Sequence, residues 1–420
     1  MANILHGNAI VGQSGGPTAA INATLAGVIR GVLAEQEKGP DAAIPCLYGM
    51  QNGVEGLLEE RLIDLTERFS KNPNELDTLE LTPAAALGSC RKKLPAAGAP
   101  DEEAVMGKLL TVLKKYDIRY FFYIGGNDSM DTVAKLSAYA AKAGYDMRVV
   151  GVPKTIDNDL MGTDHTPGFG SAAKYISVTT QEIMRDTAVY TVPAVTIIEI
   201  MGRDTGWLTA ASALGRVVNG RAPDLVYLPE RDFDYDAFYR DVKAALDRHP
   251  DVVVAVSEGL RCADGRYVGE GTQSGVADVF GHRYLSGTGK ALEMAVKEKF
   301  GCKVRSVELN LPQRCASHLS SAQDIEESVA VGRAAVKAAV AGSSRIMMTI
   351  QRTSTDPYAY AIGEAAIENI ANMTQFVPDE FINPEGNHVT DACLYHLLPL
   401  IRGEKYPAYE NGLPVQCILK

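Results

Sequence analysis

The segment "PKTIDNDL" places a lysine and two aspartates within six positions, directly after the apolar run "VVGV". If this segment is extended, Asp157 and Asp159 face the same side. One carboxylate can then act as a general base while the other tunes it or orients a hydroxyl. Lys154 can neutralise the charge of a phosphate that is being transferred. The alternative is a surface turn with a helix-capping aspartate, because turns also favour Asp and Asn.

Two glycine-rich turns each follow a strand-like run and precede a helix-like run. The first, "QSGGPTAAIN", contains Gly15 and Gly16, and the second, "IGGNDSM", contains Gly126, Asn127 and Asp128. Such turns let the backbone approach a ligand and offer free N–H groups to an anion. Oxygen atoms at the second turn could also bind a hydrated magnesium ion that is shared with phosphates. The alternatives are plain tight turns, or helix capping by Asp128 or the following serine.

Further charged residues follow other apolar runs. Arg203 follows one strand-like run in "EIMGRDTG", and Glu258 follows another in "AVSEGL". "LGSCRKKLP" contributes Arg91 to a basic cluster, and "LPQRCASH" contributes Arg314 and His318. Arginine suits bidentate contacts with phosphate. The alternatives are surface salt bridges, solvated charges and, for the lone histidine, a structural role.

The elements that must position these residues alternate between short β-rich runs and longer helical patterns. This alternation predicts an α/β fold with parallel sheets covered on both faces. Ligands of such sheets bind at the carboxyl ends of the strands, where the polar residues cluster. A chain of 420 residues favours two domains. We therefore expect one shared cleft between two α/β domains.

Composition narrows the classes of function. The net charge of −11 argues against nucleic-acid binding, and no apolar run reaches membrane-spanning length. The N-terminus, "MANILHGNAIVGQSGG", lacks the pattern of a signal peptide. Seven cysteines without a CxxC pair indicate reduced thiols and no zinc site. We expect a cytoplasmic protein that does not bind a membrane.

Taken together, these segments resemble the phosphofructokinase family. The matching pieces are "SGGPTAAIN", "GSCR", "GGNDS", "PKTIDND", "EIMGR", "SEG" and "LPQR", from about residue 11 to about residue 320. The resemblance implies two Rossmann-like three-layer α/β domains with mostly parallel sheets and the active site in the cleft between them. Residues 1–166 plus about 322–345 would bind the phosphoryl donor. Residues 167–321 plus about 346–420 would bind the sugar phosphate and carry a C-terminal extension.

The resemblance also implies a reaction and its residues. The reaction is a magnesium-dependent phosphoryl transfer to the C1 hydroxyl of fructose 6-phosphate. Asp157 would be the general base, and Lys154 and Arg203 the other catalytic residues. The substrate-binding residues would be Thr155, Asp159, Met201, Gly202, Arg203, Glu258 and Arg314. The donor-binding residues would be Gly15, Gly16, Arg91, Gly126, Asp128 and Lys154, and the metal ligands Asn127 and Asp128.

The donor is indicated by two positions. ATP-dependent members of the family have glycines where this chain has Asp128 and Lys154, whereas pyrophosphate-dependent members carry Asp and Lys. The carboxylate fills the space of the ATP α-phosphate and repels it, and the lysine adds a charge near a small leaving group. We therefore expect pyrophosphate as donor and a reversible reaction. The alternatives are an ATP-dependent kinase, a lipid or nucleotide kinase, and a non-catalytic regulatory subunit, which intact Asp157, Arg203 and Glu258 disfavour.

Three departures from the family pattern stand out. Asn127 replaces the usual aspartate, and Ala194 replaces an arginine that reaches a neighbouring subunit in many members. The second arginine that usually follows Arg314 is absent, and Tyr284 and Arg283 are candidate substitutes. The family is usually dimeric or tetrameric, so we expect a homodimer or homotetramer. Other sugar phosphates, such as sedoheptulose 7-phosphate, stay open as substrates.

Overall fold

The computed structural model of the protein describes residues 4–270 and 287–419. The strands within these ranges are β1 (Asn8–Gln13), β2 (Leu47–Met50), β3 (Leu62–Asp64), β4 (Ile118–Gly125), β5 (Arg148–Pro153), β6 (Ala194–Ile200), β7 (Leu225–Tyr227), β8 (Asp251–Ser257), β9 (Lys303–Glu308), β10 (Ile346–Thr355), β11 (Tyr358–Ala366), β12 (Tyr409–Glu410) and β13 (Leu413–Pro414). The helices are α1 (Ile21–Gln36), α2 (Gly53–Leu58), α3 (Leu65–Lys71), α4 (Glu75–Leu81), α5 (Glu102–Lys115), α6 (Asn127–Lys142), α7 (Phe169–Thr187), α8 (Trp207–Ala211), α9 (Gly215–Asn219), α10 (Tyr235–Arg248), α11 (Thr288–Phe300), α12 (Pro312–Cys315), α13 (Ala322–Val340) and α14 (Asp391–Leu397).

The larger sheet has the strand order β11-β10-β5-β4-β1-β2-β3. Its inner pairs are parallel, and only the edge strands β3 and β11 pair antiparallel with their neighbours. Strand β4 carries the aromatic run from Tyr120 to Tyr123, which is buried, as expected for a parallel sheet covered on both faces. Helices α1, α3, α4 and α13 supply the core on one face, and α2, α5 and α6 supply it on the other.

Helices α1 and α13 lie against each other with their backbones in close approach. A β-carbon on Gly27 would lie 2.3 Å from the Val329 carbonyl oxygen. A β-carbon on Gly332 would lie 2.3 Å from the Thr24 carbonyl oxygen. Glycine is therefore required at both positions of this crossing, because any larger residue would push the helices apart.

The smaller sheet has the order β7-β8-β6-β9, with parallel pairs throughout. Helices α7, α8 and α14 pack on one face, and α10 and α11 pack on the other. Two mostly parallel sheets, each covered by helices on both faces, confirm the predicted α/β fold class. Among the described residues, no helix combines the length and the apolar character needed to cross a membrane.

Strands β10 and β11 lie in the larger sheet. The resemblance assigns residues from about 346 onward to the sugar-phosphate domain, but Ile346 of β10 pairs with Val150 of β5. Met347, Met348 and Ile350 are buried in the core of that sheet. A boundary drawn by sheets therefore differs from the predicted one here, because β10 buries its apolar side chains beside β5.

Candidate active site

The carboxyl ends of β1, β4 and β5 bring three of the predicted segments together, since these strands are neighbours in the larger sheet. The Lys154 backbone N–H donates to the Gly125 carbonyl at 3.0 Å, which joins the loop after β5 to the turn after β4. The Lys154 ammonium group donates to the Gly16 carbonyl at 2.5 Å, which joins it to the turn after β1. A β-carbon on Gly126 would lie 3.6 Å from the Lys154 carbonyl oxygen. The two glycine turns and "PKTIDND" therefore form one site.

Lys154 lies at the floor of this site and is only 2% exposed. Its Nζ atom would lie 3.4 Å from a β-carbon on Gly15, whose φ of +76° favours glycine in any case. Burial lowers the pKa of Lys154 to about 8, and the charges of Asp157 and Asp159 oppose this decrease. The lysine is thus a buried cation between the two turns.

Two arginines add positive charge at the same place. A β-carbon on Gly16 would lie 3.7 Å from an Arg314 guanidinium nitrogen. The charges of Arg314 and Arg91 both help to lower the pKa of Lys154. Arg91 follows Cys90, whose carbonyl accepts the Gly15 N–H at 3.2 Å. Arg314, which the resemblance assigns to the sugar, therefore lies beside the first glycine turn.

The loop after β5 that carries the predicted general base, residues 155–159 and termed the catalytic loop for that prediction, is a bend rather than the extended segment that the sequence suggested. Asn158 has a φ of +55° and is buried. The Asp157 N–H donates to the Thr155 hydroxyl oxygen at 3.1 Å, and this hydroxyl lies 3.3 Å from the Asp157 carboxylate. The Asn158 side-chain oxygen accepts the Thr166 N–H at 3.0 Å. The loop is therefore fixed by its own side chains and by the start of the next segment.

The two aspartates of this loop are held in a low-polarity environment. Burial raises the pKa of Asp157, whereas the charge of Lys154 and the Thr155 hydrogen bond oppose this rise. Burial, followed by the charge of Asp157, raises the pKa of Asp159 to about 7. Atom Oδ1 of Asp159 is buried and has no hydrogen-bond partner within residues 4–270 and 287–419. This oxygen can accept a hydroxyl group or a cation, because an unpaired buried carboxylate oxygen is costly.

The smaller sheet contributes Met201, Gly202 and Arg203 after β6 and Glu258 after β8. Gly202 has a φ of +140°, and a β-carbon there would lie 2.4 Å from the Thr205 carbonyl oxygen. The Glu258 carboxylate accepts the Gly202 N–H at 3.4 Å. Burial, followed by the charge of Asp157, raises the pKa of Glu258 to about 8. Glu258 therefore lies within electrostatic reach of the catalytic loop.

Direct contacts also join the two sides of the site. The Thr205 hydroxyl donates to the Asp157 carbonyl at 3.0 Å, and the charge of Arg203 helps to keep Asp157 ionised by opposing the rise of its pKa. The Met201 N–H donates to the buried Gln313 side chain at 3.2 Å. Gln313 is missing from the predicted residues, although its place next to Arg314 in "LPQR" is a usable signal.

The second glycine turn departs from the capping alternative. Gly126 is the N-cap of α6, and within the described chain no side chain caps it. The Asp128 carboxylate is half-exposed and forms an ion pair with Lys93 at 3.3 Å. The Asn127 side-chain amide instead contacts the backbone near residue 372, at both its nitrogen and its oxygen. Asp128 therefore pairs with the basic cluster that follows Cys90, and Asn127 contacts the C-terminal segment.

Other positions of the prediction lie elsewhere. Ala194 begins β6, at the end of the strand opposite to Met201, and His318 is exposed in a short 3-10 helix over Ser317–Leu319. Tyr284 and Arg283 lie outside the described residues.

The fold brings the carboxyl ends of two mostly parallel sheets to one site, which is the arrangement of ligand-binding α/β enzymes. The chain belongs to the phosphofructokinase family, whose model, described as "Phosphofructokinase", matches residues 8–339. This confirms the resemblance drawn from the sequence motifs.

Several relatives cover nearly the whole chain. The pyrophosphate–fructose 6-phosphate 1-phosphotransferases of Halomonas elongata and Methylococcus capsulatus are each 41% identical to it, over 97% of this chain and 94% of theirs. The crystal structure of the pyrophosphate-dependent phosphofructokinase from Nitrosospira multiformis is similar, with a TM-score of 0.87 and 37% identity. That alignment covers 99% of this chain and 97% of the other.

Enzymes of this family generally depend on a divalent metal. In residues 4–270 and 287–419, no group of three His, Cys, Asp or Glu side chains could hold such an ion alone. Magnesium, however, is usually bound by one or two carboxylates together with water and substrate phosphates. The half-exposed Asp128 and the unpaired oxygen of Asp159 could each supply one oxygen ligand of that kind. These protein ligands therefore suit a metal ion that is bound mainly by the phosphate groups of the substrate.

Proposed function

We propose that this protein transfers a phosphoryl group from pyrophosphate to the C1 hydroxyl of fructose 6-phosphate, reversibly and with magnesium. The products are fructose 1,6-bisphosphate and phosphate. The observation that carries the proposal is the presence of Asp128 in the first turn of α6 together with Lys154, which is buried against Gly16. The names of the near full-length relatives support the same donor and the same sugar.

The donor side is suited to a small, highly charged anion. Lys154, Arg91 and Arg314 converge near the two glycine turns, and their charge can neutralise charge that develops on the leaving phosphate. Asp128 adds a negative charge where the α-phosphate of ATP would need to lie. Pyrophosphate has no such group, so it avoids that repulsion.

In the mechanism, Asp157 accepts the proton of the C1 hydroxyl as the hydroxyl oxygen attacks phosphorus. The bond from phosphorus to the bridging oxygen of pyrophosphate breaks, and phosphate leaves. The raised pKa of Asp157 makes its carboxylate a stronger base than an ordinary aspartate. Thr155 and Thr205 fix this residue, so the proton acceptor is held in place before the reaction begins.

On the sugar side, Glu258 is placed to bind hydroxyl groups, and Arg203 is placed to bind the sugar phosphate. A tight turn at Gly202 brings Glu258 and Arg203 toward Asp157. This turn requires glycine, because the φ of Gly202 is unfavourable for other residues. Met201 is held by Gln313. Asp128 and Asp159 would hold magnesium, which, when bound, neutralises the charge of the phosphate oxygens.

We further propose a cytoplasmic homodimer or homotetramer. All seven cysteines lie within the described residues and are free thiols, which suits a reducing compartment. Val189, Val192 and Val218 are exposed by more than half. Exposed apolar side chains of this kind are what a contact with a second copy would cover.

The purified protein tests this proposal in both directions. With magnesium, fructose 6-phosphate and pyrophosphate, we expect fructose 1,6-bisphosphate and phosphate in equal amounts. With fructose 1,6-bisphosphate and phosphate, we expect pyrophosphate. The Asp157→Ser variant is the matched control for contaminating activity. Formation of bisphosphate only when ATP is supplied would overturn the choice of donor.

A further inference from the structure

Residues 371–376, which we term the strap, cross between the two halves of the molecule. On one side, Ile370 is buried in the core that α2, α5 and α6 share with the larger sheet. On the other side, Val377 is buried in the core of the smaller sheet. The strap itself is exposed or half-exposed. The strap is therefore a short connecting segment whose two ends are anchored in different hydrophobic cores.

The second glycine turn together with the start of α6, residues 125–128 and termed the donor turn, holds the strap through the side chain of Asn127. The Asn127 side-chain nitrogen donates to the Met373 carbonyl at 2.7 Å. The Asn372 backbone N–H donates to the Asn127 side-chain oxygen at 2.7 Å. A carboxamide can make both contacts because it carries a donor and an acceptor, whereas a carboxylate can only accept. An aspartate here would place its charge against the Met373 carbonyl oxygen.

The catalytic loop holds the strap through Gln375. Its backbone N–H donates to the Asp159 carbonyl at 2.8 Å. Its side-chain amide, oriented to donate, reaches the carbonyls of Leu160 and Thr163 at 3.2 and 3.1 Å. The Gln375 carbonyl accepts the indole N–H of Trp207 at 3.0 Å. Gln375 thus connects the loop that carries Asp157 and Asp159 to the smaller sheet.

A half-buried carboxylate, that of Glu230, completes the attachment to the smaller sheet. Glu230 accepts the Val377 N–H at 3.0 Å and the Gly206 N–H at 2.9 Å with the same oxygen. Gly206 directly precedes Trp207 at the start of α8. The end of the strap is therefore fixed to the segment that follows Arg203.

We propose that Asn127 is a positioning residue, which docks the strap and thereby sets the spacing between the donor turn and the catalytic loop. The inference rests on the proposed function for the location of the active site. It accounts for the amide at a position where the family usually has an aspartate, since only the amide satisfies both backbone groups. It also revises the expectation that Asn127 binds the metal, because both polar ends of its side chain are engaged.

Trp207 gives a direct readout of strap docking, because it is the only tryptophan of the chain. We compare Asn127→Ala and Asn127→Asp with the wild type by fluorescence and by hydrogen exchange of residues 371–377. Both variants should show red-shifted emission, as water replaces the Gln375 carbonyl at the indole. Amide protection in the strap should fall by about tenfold or more, as in a locally opened segment. Wild-type emission and exchange in both variants would overturn the proposal.

Kinetics separate positioning from metal binding. Both variants should lose about tenfold to a hundredfold in kcat, since small misplacements are costly, with KM for fructose 6-phosphate nearly unchanged. The magnesium concentration for half-maximal rate should not decrease in Asn127→Asp. A decrease, with strap exchange as in the wild type, would identify Asn127 as a metal ligand and overturn the proposal.

A matched control is Asn74→Asp, the same amide-to-carboxylate change at an exposed position before α4. It should leave emission, exchange and rates as in the wild type. If wild-type protein does not use pyrophosphate, the proposed function fails, but emission and exchange still decide whether Asn127 docks the strap. The two failures are therefore distinguishable.

Discussion

Asp157 is the residue on which the proposed chemistry depends most. Replacing it by serine removes the proton acceptor while keeping a small polar side chain. We expect kcat for the forward reaction to fall by about two to four orders of magnitude, the usual contribution of a general base. Steady-state rates with pyrophosphate and fructose 6-phosphate measure this, with circular dichroism to verify folding. Nearly unchanged turnover would remove Asp157 from this role.

The pH dependence of the rate reports Asp157 and Lys154 together. Since burial raises the pKa of Asp157, kcat/KM should already fall at pH values well above those that protonate an ordinary aspartate. Since burial lowers the pKa of Lys154 to about 8, kcat/KM for pyrophosphate should also fall as the pH rises through about 8. Bound pyrophosphate favours the charged lysine, so the alkaline decrease of kcat should occur at a higher pH than that of kcat/KM. The acid limb of Asp157→Ser should be shallower than that of the wild type, because only Asp159, whose pKa is raised to about 7, still titrates in the loop. An acid limb as steep as that of the wild type in this variant would contradict the assignment.

The choice of phosphoryl donor should also depend on single residues. Asp128→Gly removes the charge and bulk from the donor turn, so we expect ATP turnover to rise at least about tenfold, as when one unfavourable charge contact is removed. Asp128→Gly with Lys154→Gly should raise it further, with loss of pyrophosphate turnover. Rates with both donors measure the change. Asp41→Gly, at an exposed surface position, is the matched control, and the absence of any gain with ATP would contradict the steric and charge explanation.

At the scale of elements, a buried polar network links the catalytic loop to α13. The His165 ring lies 2.8 Å from the Asp164 carboxylate and 2.6 Å from that of Glu327. Arg352 of β10 donates two hydrogen bonds to Asp164, both at 3.0 Å. The Tyr358 hydroxyl of β11 donates to Glu327 at 2.5 Å. The segment after the catalytic loop is therefore anchored to both the helix and the edge of the larger sheet.

This network predicts a pH-dependent stability. Burial alone would lower the pKa of His165, but Glu327 and Asp164 raise it to about 9. A histidine whose pKa is raised on folding stabilises the protein fully below its unfolded pKa of about 6.5, and that stabilisation is lost as the pH rises through about 9. The wild-type free energy of unfolding should therefore fall over this range, by on the order of 3 kcal/mol.

The His165→Gln variant isolates this contribution, because glutamine keeps a polar side chain that does not titrate. Its free energy of unfolding, measured in urea from about pH 6 to about pH 9, should be lower at pH 6 and should change less with pH. His318→Gln, at an exposed histidine, serves as the control and should follow the wild type. Equal slopes for His165→Gln and the wild type would show that His165 is not protonated in the folded protein.

Some elements could be predicted from the sequence because their signals are local. Strand-like runs that end in glycine or in charged residues predicted the turns after β1 and β4 and the loop after β5. The conformation of Asn158, with its positive φ, has no such signal, because its hydrogen bond to Thr166 depends on the folded loop. The place of β10 and β11 in the larger sheet has no local signal either, because β10 pairs with β5, which lies far away along the chain, and β11 pairs with β10.

At the scale of the whole molecule, an acidic protein concentrates positive charge at one place. The net charge is −11, yet Lys154, Arg91 and Arg314 act together at the carboxyl ends of the larger sheet. The opposite sheet adds Arg203 and Glu258 across the cleft. The sequence indicated Lys154, Arg203 and Glu258 because each follows an apolar run, whereas the resemblance to the family indicated Arg91 and Arg314. It could not indicate the strap, which reaches Asn127 from 245 residues further along the chain.

We infer that the site uses pyrophosphate in preference to ATP. The most direct test is the initial rate of fructose 1,6-bisphosphate formation by the wild-type protein, with magnesium, fructose 6-phosphate and either donor over a range of concentrations. We predict that kcat/KM for pyrophosphate exceeds that for ATP by at least about a hundredfold, because ATP must place its α-phosphate against Asp128. Turnover with ATP but not with pyrophosphate would contradict the account.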